Sequence, residues 1–338
     1  MGCKCSPCSV GGEARDWGDD SRGFARRPRR NGDNASPSKR GISGLHLTTI
    51  NHTCAGCRKQ WESKRLGEPR NLRESERLNQ TSQIPIRRGA FNVVAESDDW
   101  IVVEKPPFME AHPSKPNGRP TLWDGLRQLL AYEVVNGGQV SIINRLDRET
   151  SGLTLAAKHR DAARFFCKEM EARRIMKEYL ALVWGWPERD EFEVDAAILR
   201  HGDRQPSRIH LKQMVHPEGA RAVTRFHVER RFTKSTTAGE RFAIVRAFPQ
   251  TGRMHQIRVH LAHAGHSVVG DKIYGPDEGC YLEFIQTGWT AALATRLLLP
   301  RHALHSTALA VPSAGLAWES PLPADIREWT NDEMPDQA

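Results

Sequence analysis

Apolar and polar positions along this chain fall into short, closely spaced runs. The patterned part begins at FNVVAESDDWIVVEKP, residues 91–106. Phe91–Val94 and Trp100–Val103 read as two strands joined by an acidic turn, and Lys105-Pro106-Pro107 then breaks the second. Thr121 is placed to cap a helix reaching about Leu130, with Leu122, Leu126, Leu129 and Leu130 on its apolar side. Asp161–Arg174 predicts a helix and Tyr179–Trp184 a strand. Further strands are expected at Phe192–Ile198, Ala222–Val228 and Phe242–Phe248. The stretch 251–265 predicts a turn entering a helix that Gly265 ends. Ala303–Ala310 and Leu316–Glu319 are again strand-like. Strands outnumber helices and lie close together. The expected fold class is therefore α+β, a mixed, mostly antiparallel sheet with flanking helices, rather than a regular βαβ alternation.

Residues 1–85 lack this patterning, apart from ISGLHLTTI at 42–50, and are rich in Gly, Ser, Asn, Arg and Pro. They predict a disordered or weakly ordered extension ahead of one folded domain at 86–330. Charge divides at the same place. Residues 1–90 hold 18 Lys+Arg against 9 Asp+Glu, while the remainder holds 31 against 32. All of the excess positive charge thus lies in the first 90 residues, a distribution suited to attracting nucleic-acid phosphates or to a solvated tail. Five of the seven cysteines lie there too. Cys5, Cys8, Cys54 and Cys57 form two Cys-x-x-Cys pairs, but the 45 residues between them exceed the roughly 15–20 of a zinc ribbon, so free thiols are expected. No apolar run approaches the roughly 18 residues of a membrane span, and the N-terminus lacks the apolar stretch of a secretory signal. The expectation is a cytoplasmic protein without membrane contact.

Three polar stretches interrupt the buried pattern. NRLDRETSGLTLAAK, residues 144–158, sets Arg145, Asp147, Arg148 and Glu149 between two apolar runs. Such a segment is either a solvated turn or a loop in which arginines hold a nucleophilic or basic aspartate. In TGRMHQIRVHL, residues 251–261, Arg253 and Arg258 lie near a helix start beside a glycine turn. They belong either to a basic solvated face or to a cation aimed at a carboxylate or phosphate. In KEYLALVWG, residues 177–185, Tyr179 opens a strand and is by itself ordinary half-buried packing.

Taken together and in this order, the three stretches resemble the RluA-type pseudouridine synthases, which modify uridines in ribosomal and transfer RNA. Asn144–Leu153 is similar to that family's H-R-L-D-R-x-T-S-G-L signature. Lys177, Tyr179 and Gly185 match its second motif. Thr251–Leu261 with Gly270-Asp271-Lys272-Ile273-Tyr274-Gly275 matches the third. Lys105-Pro106, His112-Pro113 and Ala303-Leu304-His305 are weaker matches, and the likeness spans about 91–329. Two positions depart from the pattern. Asn144 stands where most members carry His, and Phe108 where Gly usually follows Lys-Pro-x. The RNA-binding S4 module of many relatives is not evident in residues 1–90.

The resemblance implies isomerisation of uridine to pseudouridine within structured RNA, ribosomal or transfer, by a monomer. No cofactor and no metal are expected, because no atom enters and no redox change occurs. A glycosidase needs two carboxylates. Here one, Asp147, is expected to suffice, since the departing base stays in the site and returns. Arg258 is implied as its electrostatic partner. Tyr179 is implied as the surface on which uracil stacks and as an aid to removing the carbon-5 proton. Arg145 and Arg148 flank the aspartate on a loop that helps displace the target base, with Asn144 at its start. The family leaves the position of Glu149 variable. A catalytically silent RNA-binding protein of the same fold, or a hydrolase releasing free base, would share parts of the pattern.

Overall fold

The computed structural model describes residues 90–113 and 119–330. The expectations for residues 1–85, including the four paired cysteines and the missing S4 module, lie outside the described residues. The fold is a ten-stranded sheet flanked by helices, with one small two-stranded sheet beside it. Its strands include β1 (Asn92–Glu96), β2 (Trp100–Lys105), β3 (Ser141–Ile142), β4 (Ser151–Ala157), β5 (Met176–Trp184) and β6 (Glu191–Asp195). β7 (Ile198–Arg200) and β8 (Gln213–Val215) form the small sheet. β9 (Val223–Thr233), β10 (Arg241–Pro249), β11 (Leu304–Val311) and β12 (Leu316–Glu319) return to the large one. The order is β1-β2-β4-β11-β5-β10-β9-β6, with β3 on β4 and β12 on β11. Every pairing is antiparallel except β4 with β11. The α+β, mostly antiparallel expectation holds.

Local chemistry accounts for the elements that position the site. Thr121 caps α1 (Leu122–Leu129) as its position predicts. The Asp124 amide donates to Thr121 Oγ1 at 3.3 Å and the Thr121 amide to Asp124 Oδ2 at 3.0 Å, a reciprocal capping box. A second short helix, α2 (Ala131–Val135), follows directly. All seven residues of β4 are buried. Leu153 and Leu155 pack with Phe166 of α3 (Arg160–Glu171), while Ala156 packs with Leu122 and Leu126 of α1. A strand covered on both faces has no solvent face to show, which is why its sequence carries no charge and only small polar residues, Ser151 and Thr154.

β4 enters the sheet beside β11 through a close approach at Gly152. This residue has φ +107°, and a Cβ there would stand 2.2 Å from the Ser306 carbonyl oxygen. Only glycine fits. Phe108 shows the opposite solution. It takes φ +66°, a left-handed conformation that glycine adopts freely and phenylalanine does not, so the turn after Lys105-Pro106 holds a strained residue. Lys105 closes that turn from inside, donating to the carbonyls of Pro106 (2.8 Å) and Met109 (2.9 Å).

Four helices were not anticipated: α2, α5 (Gly279–Thr287), α6 (Ala291–Leu297) and α7 (Ala324–Thr330). The strand expected at Phe192–Ile198 divides into β6 and β7, and β9 runs five residues past the expected Val228, to Thr233. α4 (Gln256–His263) ends where expected, with Gly265 at φ +83° just beyond it. No helix among the described residues is long and apolar enough to cross a membrane.

Candidate active site

The loop Ile143–Thr150 leaves β3 and returns as β4, and Asn144 fixes its base. Its side-chain amide donates to the Leu153 carbonyl at 2.9 Å, and its Oδ1 accepts the Leu155 amide at 2.7 Å. Both ends of this buried side chain are therefore spent on the backbone of β4, so the Asn in place of the family's His serves loop geometry. At the loop's tip the Thr150 amide closes a turn onto the Asp147 carbonyl at 3.2 Å. Lys105 supports the turn from below, with a third bond to the Arg148 carbonyl at 3.2 Å. Burial pushes the Lys105 amine down to about 7, while the charge of Asp147 opposes this. A neutral amine has only two N–H groups, so three carbonyl acceptors are all met only by the ammonium form.

The partner of the loop is the turn into α4. Gln256, buried at the start of α4, accepts the Thr251 hydroxyl at 2.6 Å and the Arg253 amide at 2.9 Å. It also donates to the Val223 carbonyl at 3.0 Å. This clasp sets the orientation of α4, and with it Arg258. The Arg258 guanidinium, 5% exposed, makes a two-pronged pair with Asp271 at 2.6 and 2.9 Å, and its Nη1 reaches Asp147 Oδ2 at 2.8 Å. Asp271 is held in turn by the amides of Ile273 (2.9 Å) and Tyr274 (3.1 Å). Burial opposes the charge on Arg258, yet the two carboxylates raise its pKa above the ordinary value. Burial likewise pushes Asp147 and Asp271 up, but neighbouring cationic charge outweighs it and both lie below the usual carboxylate range. For Asp147 the neighbours are His255 and Arg258. Burial and Arg258 hold His255 itself down at about 4, so at neutral pH the guanidinium keeps Asp147 ionised.

Asn144, Arg145, Asp147, Arg148, Tyr179 and Arg258 all line one cavity of about 700 Å³. That is room for a nucleotide. Asp147 opens into it with its side chain 28% exposed, and its Oδ1 accepts no hydrogen bond among the described residues. Tyr179 lies on β5, 8% exposed, and burial raises its hydroxyl to about 12. It is therefore a neutral phenol at neutral pH, an apolar face with a proton donor and not a resting base. Arg145 is exposed and Arg148 half-buried. Arg173, Lys177 and Arg253 add positive charge to the same lining.

Glu149, on the same loop, is tied to a distant part of the domain. Both of its oxygens accept from Lys272 Nζ at 2.9 Å, and the pair is 13% and 3% exposed. The partner lies 123 residues away, so no local pattern reveals it. His255, Asp271 and Tyr274 also sit at the site, and sequence reasoning gave them no role although they stand within the quoted motifs. Among the described residues no group of three or more His, Cys, Asp or Glu side chains could hold a metal ion.

Comparison with known proteins agrees with this architecture. Residues 99–263 match the RNA pseudouridylate synthase family. The ribosomal large subunit pseudouridine synthase D of Nitrosomonas europaea is 33% identical over 287 residues, covering 82% of this chain and 74% of that protein. The protein of the same name from Salmonella typhimurium is 34% identical over 246 residues, covering 70% and 68%. Among solved structures, human RNA pseudouridylate synthase domain containing 1 is 25% identical with a TM-score of 0.51, over 69% of this chain and 83% of that one. Human RNA pseudouridylate synthase domain containing 4, at 22% identity and a TM-score of 0.54 over 72% and 95%, shares the fold. The chain belongs to the RluA-type pseudouridine synthase family and is an RNA pseudouridine synthase, an isomerase.

Proposed function

We propose that this enzyme converts uridine to pseudouridine in large-subunit ribosomal RNA, with Asp147 as its single reacting carboxylate. The observation that carries the reading is an aspartate kept ionised by a buried guanidinium, with one oxygen open to a nucleotide-sized cavity. The RNA class rests on the names of the relatives, which act on the large ribosomal subunit.

The chemistry follows from the groups present. Asp147 supplies the electron pair that begins the reaction, either at the sugar carbon or at a sugar proton. The bond from the sugar to uracil N1 breaks and the uracil turns within the cavity. Carbon 5 then bonds to the sugar as Asp147 leaves that carbon, or the sugar regains its proton from Asp147; the carbon-5 proton leaves and N1 gains one. Tyr179 offers its ring as the surface on which the detached uracil turns. A uridine inside a helix must first leave the stack, at a cost of a few kcal/mol. Arg145, exposed on the loop beside Asp147, is suited to filling the space it vacates. Arg173, Lys177 and Arg253 are suited to meeting the flanking phosphates.

The test is tritium release from RNA labelled at uridine carbon 5, measured in single turnover. The wild-type chain should release label without liberating free uracil. Asp147→Asn should release none while still binding RNA. Release by that variant near the wild-type rate would remove Asp147 from the mechanism. Binding without release by the wild type would favour a silent RNA-binding protein. Pseudouridine mapping of total RNA with and without the gene identifies the target.

A further inference from the structure

The turn that delivers Arg258 also delivers a histidine for which the steps above have no use. His255 adopts left-handed backbone, φ +56°, at the N-cap of α4, a conformation uncommon outside glycine and asparagine. Its side chain is 7% exposed and lies between two groups. Nδ1 is 2.8 Å from the Tyr274 hydroxyl, and Nε2 is 3.9 Å from Asp147 Oδ2.

Hydrogen-bond accounting decides which ring nitrogen carries the proton. The Tyr274 oxygen already accepts the Gln213 amide at 2.8 Å. If His255 Nδ1–H also donated to that oxygen, the buried Tyr274 hydroxyl proton would have no acceptor among the described residues. If instead Tyr274 donates to Nδ1, the amide, the hydroxyl and Nδ1 are all satisfied, and the ring proton sits on Nε2. A buried hydroxyl left without a partner is the costlier arrangement. The environment agrees with a neutral ring and an intact hydroxyl, because burial lowers His255 to about 4 and raises Tyr274 above its ordinary value.

We propose that Gln213, Tyr274 and His255 form a relay that fixes the Nε2–H tautomer of His255, so that His255 and Arg258 together hold Asp147 by Oδ2 and leave Oδ1 as the oxygen that reacts. His255 is thus a positioning residue, acting through Asp147. At 3.9 Å its N–H stands just outside hydrogen-bond range. Catalytic hydrogen bonds are commonly long before substrate arrives and shorten once it binds. Arg258 alone fixes one contact to Oδ2, and a second donor on the same oxygen restrains rotation of the carboxylate. The inference rests on Asp147 being the reacting carboxylate, but the tautomer can be read without any turnover.

The experiment has a spectroscopic and a kinetic arm. Long-range nitrogen–proton spectra of the ¹⁵N-labelled full chain at neutral pH should show one histidine, absent from His255→Asn, as a neutral ring protonated at Nε2. In Tyr274→Phe that signature should become a mixture of tautomers. A ring protonated at Nδ1, or doubly protonated, would overturn the relay. His255→Asn keeps an acceptor near Nδ1 and suits left-handed backbone, but it lacks the Nε2 donor. Its single-turnover rate should fall about 100-fold, the scale of a misplaced reacting group, with RNA affinity unchanged. His255→Gln, which restores an N–H near the Nε2 position, should recover part of the loss. A His255→Asn rate within about twofold of wild type, with Asp147→Asn inactive, would overturn the positioning role. Activity in Asp147→Asn would instead count against the proposed mechanism, with the tautomer still readable. If His255→Asn does not fold, Tyr274→Phe decides: a mixed ring with an unchanged rate overturns the proposal.

Discussion

Asp147 and Glu149 lie two residues apart on one loop, and each meets a buried cation from the same later segment of the chain. What differs is what remains unpaired. Glu149 gives both oxygens to Lys272, and the pair is sealed. Asp147 gives only Oδ2 to Arg258 and leaves Oδ1 facing the cavity, while Arg258 spends its other two contacts on Asp271. The closed pair holds the loop against the body of the domain. The open pair keeps a charge available for chemistry. A carboxylate–cation contact is therefore not by itself a sign of a reacting group. What sets the Asp147 pair apart is a lone pair left over beside an enclosed space.

Substitutions can break the comparison from either side. Asp147→Asn carries the largest effect on activity, complete loss with the fold retained, read by tritium release. Arg258→Met should damage both properties. It strands two carboxylates, and removing one partner of a buried pair costs about 3–5 kcal/mol, measurable by chemical denaturation. In whatever folds, the Asp147 pKa should rise, so the acid limb of the pH–rate profile should shift to higher pH. Glu149→Gln should lower stability by about 3 kcal/mol, because Lys272 loses its counter-charge, while the folded fraction turns over near the wild-type rate. Equal loss of turnover by Glu149→Gln would erase the distinction between the two pairs. Arg145→Gln should leave stability within about 0.5 kcal/mol, since the side chain is exposed, yet slow the reaction on structured RNA more than on a single-stranded substrate.

The pH dependence of stability has a fixed sign. Asp147 and Asp271 both have folded pKa values below their unfolded ones. Their contribution is fully present above the ordinary carboxylate range, about pH 4, and is lost as pH falls through the folded values. Acid unfolding of Asp271→Asn should therefore depend less on pH in that window than that of the wild type.

The residues that share the cavity were legible as a set because their motifs are contiguous: Asn144–Leu153 and Thr251–Leu261 each hold their polar residues within a few positions. β12 was read with its observed ends, and Thr121 caps α1 as its spacing predicts. What could not be read was pairing over distance. Nothing local tells Glu149 that Lys272 awaits it, or β4 that it will run parallel to β11. The helices α5 and α6, nine and seven residues long, are too short for a clear apolar period, although Thr290 carries a usable signal by accepting the Leu293 amide at 3.2 Å. Phe108 is the reverse case, a residue that looked wrong for its turn and adopts the turn regardless.

The close approach of Gly152 to Ser306 also has a consequence in time. The strand that carries Asp147 into the sheet is seated against β11, about 150 positions later in the chain. A growing polypeptide that has released everything through α4 already possesses Asp147, Tyr179 and Arg258, but neither Asp271 nor the edge on which β4 rests. Contacts of such wide separation form late in folding. The pairing that seats the Asp147 loop, and the second carboxylate that orients Arg258, are therefore supplied only by segments that follow α4.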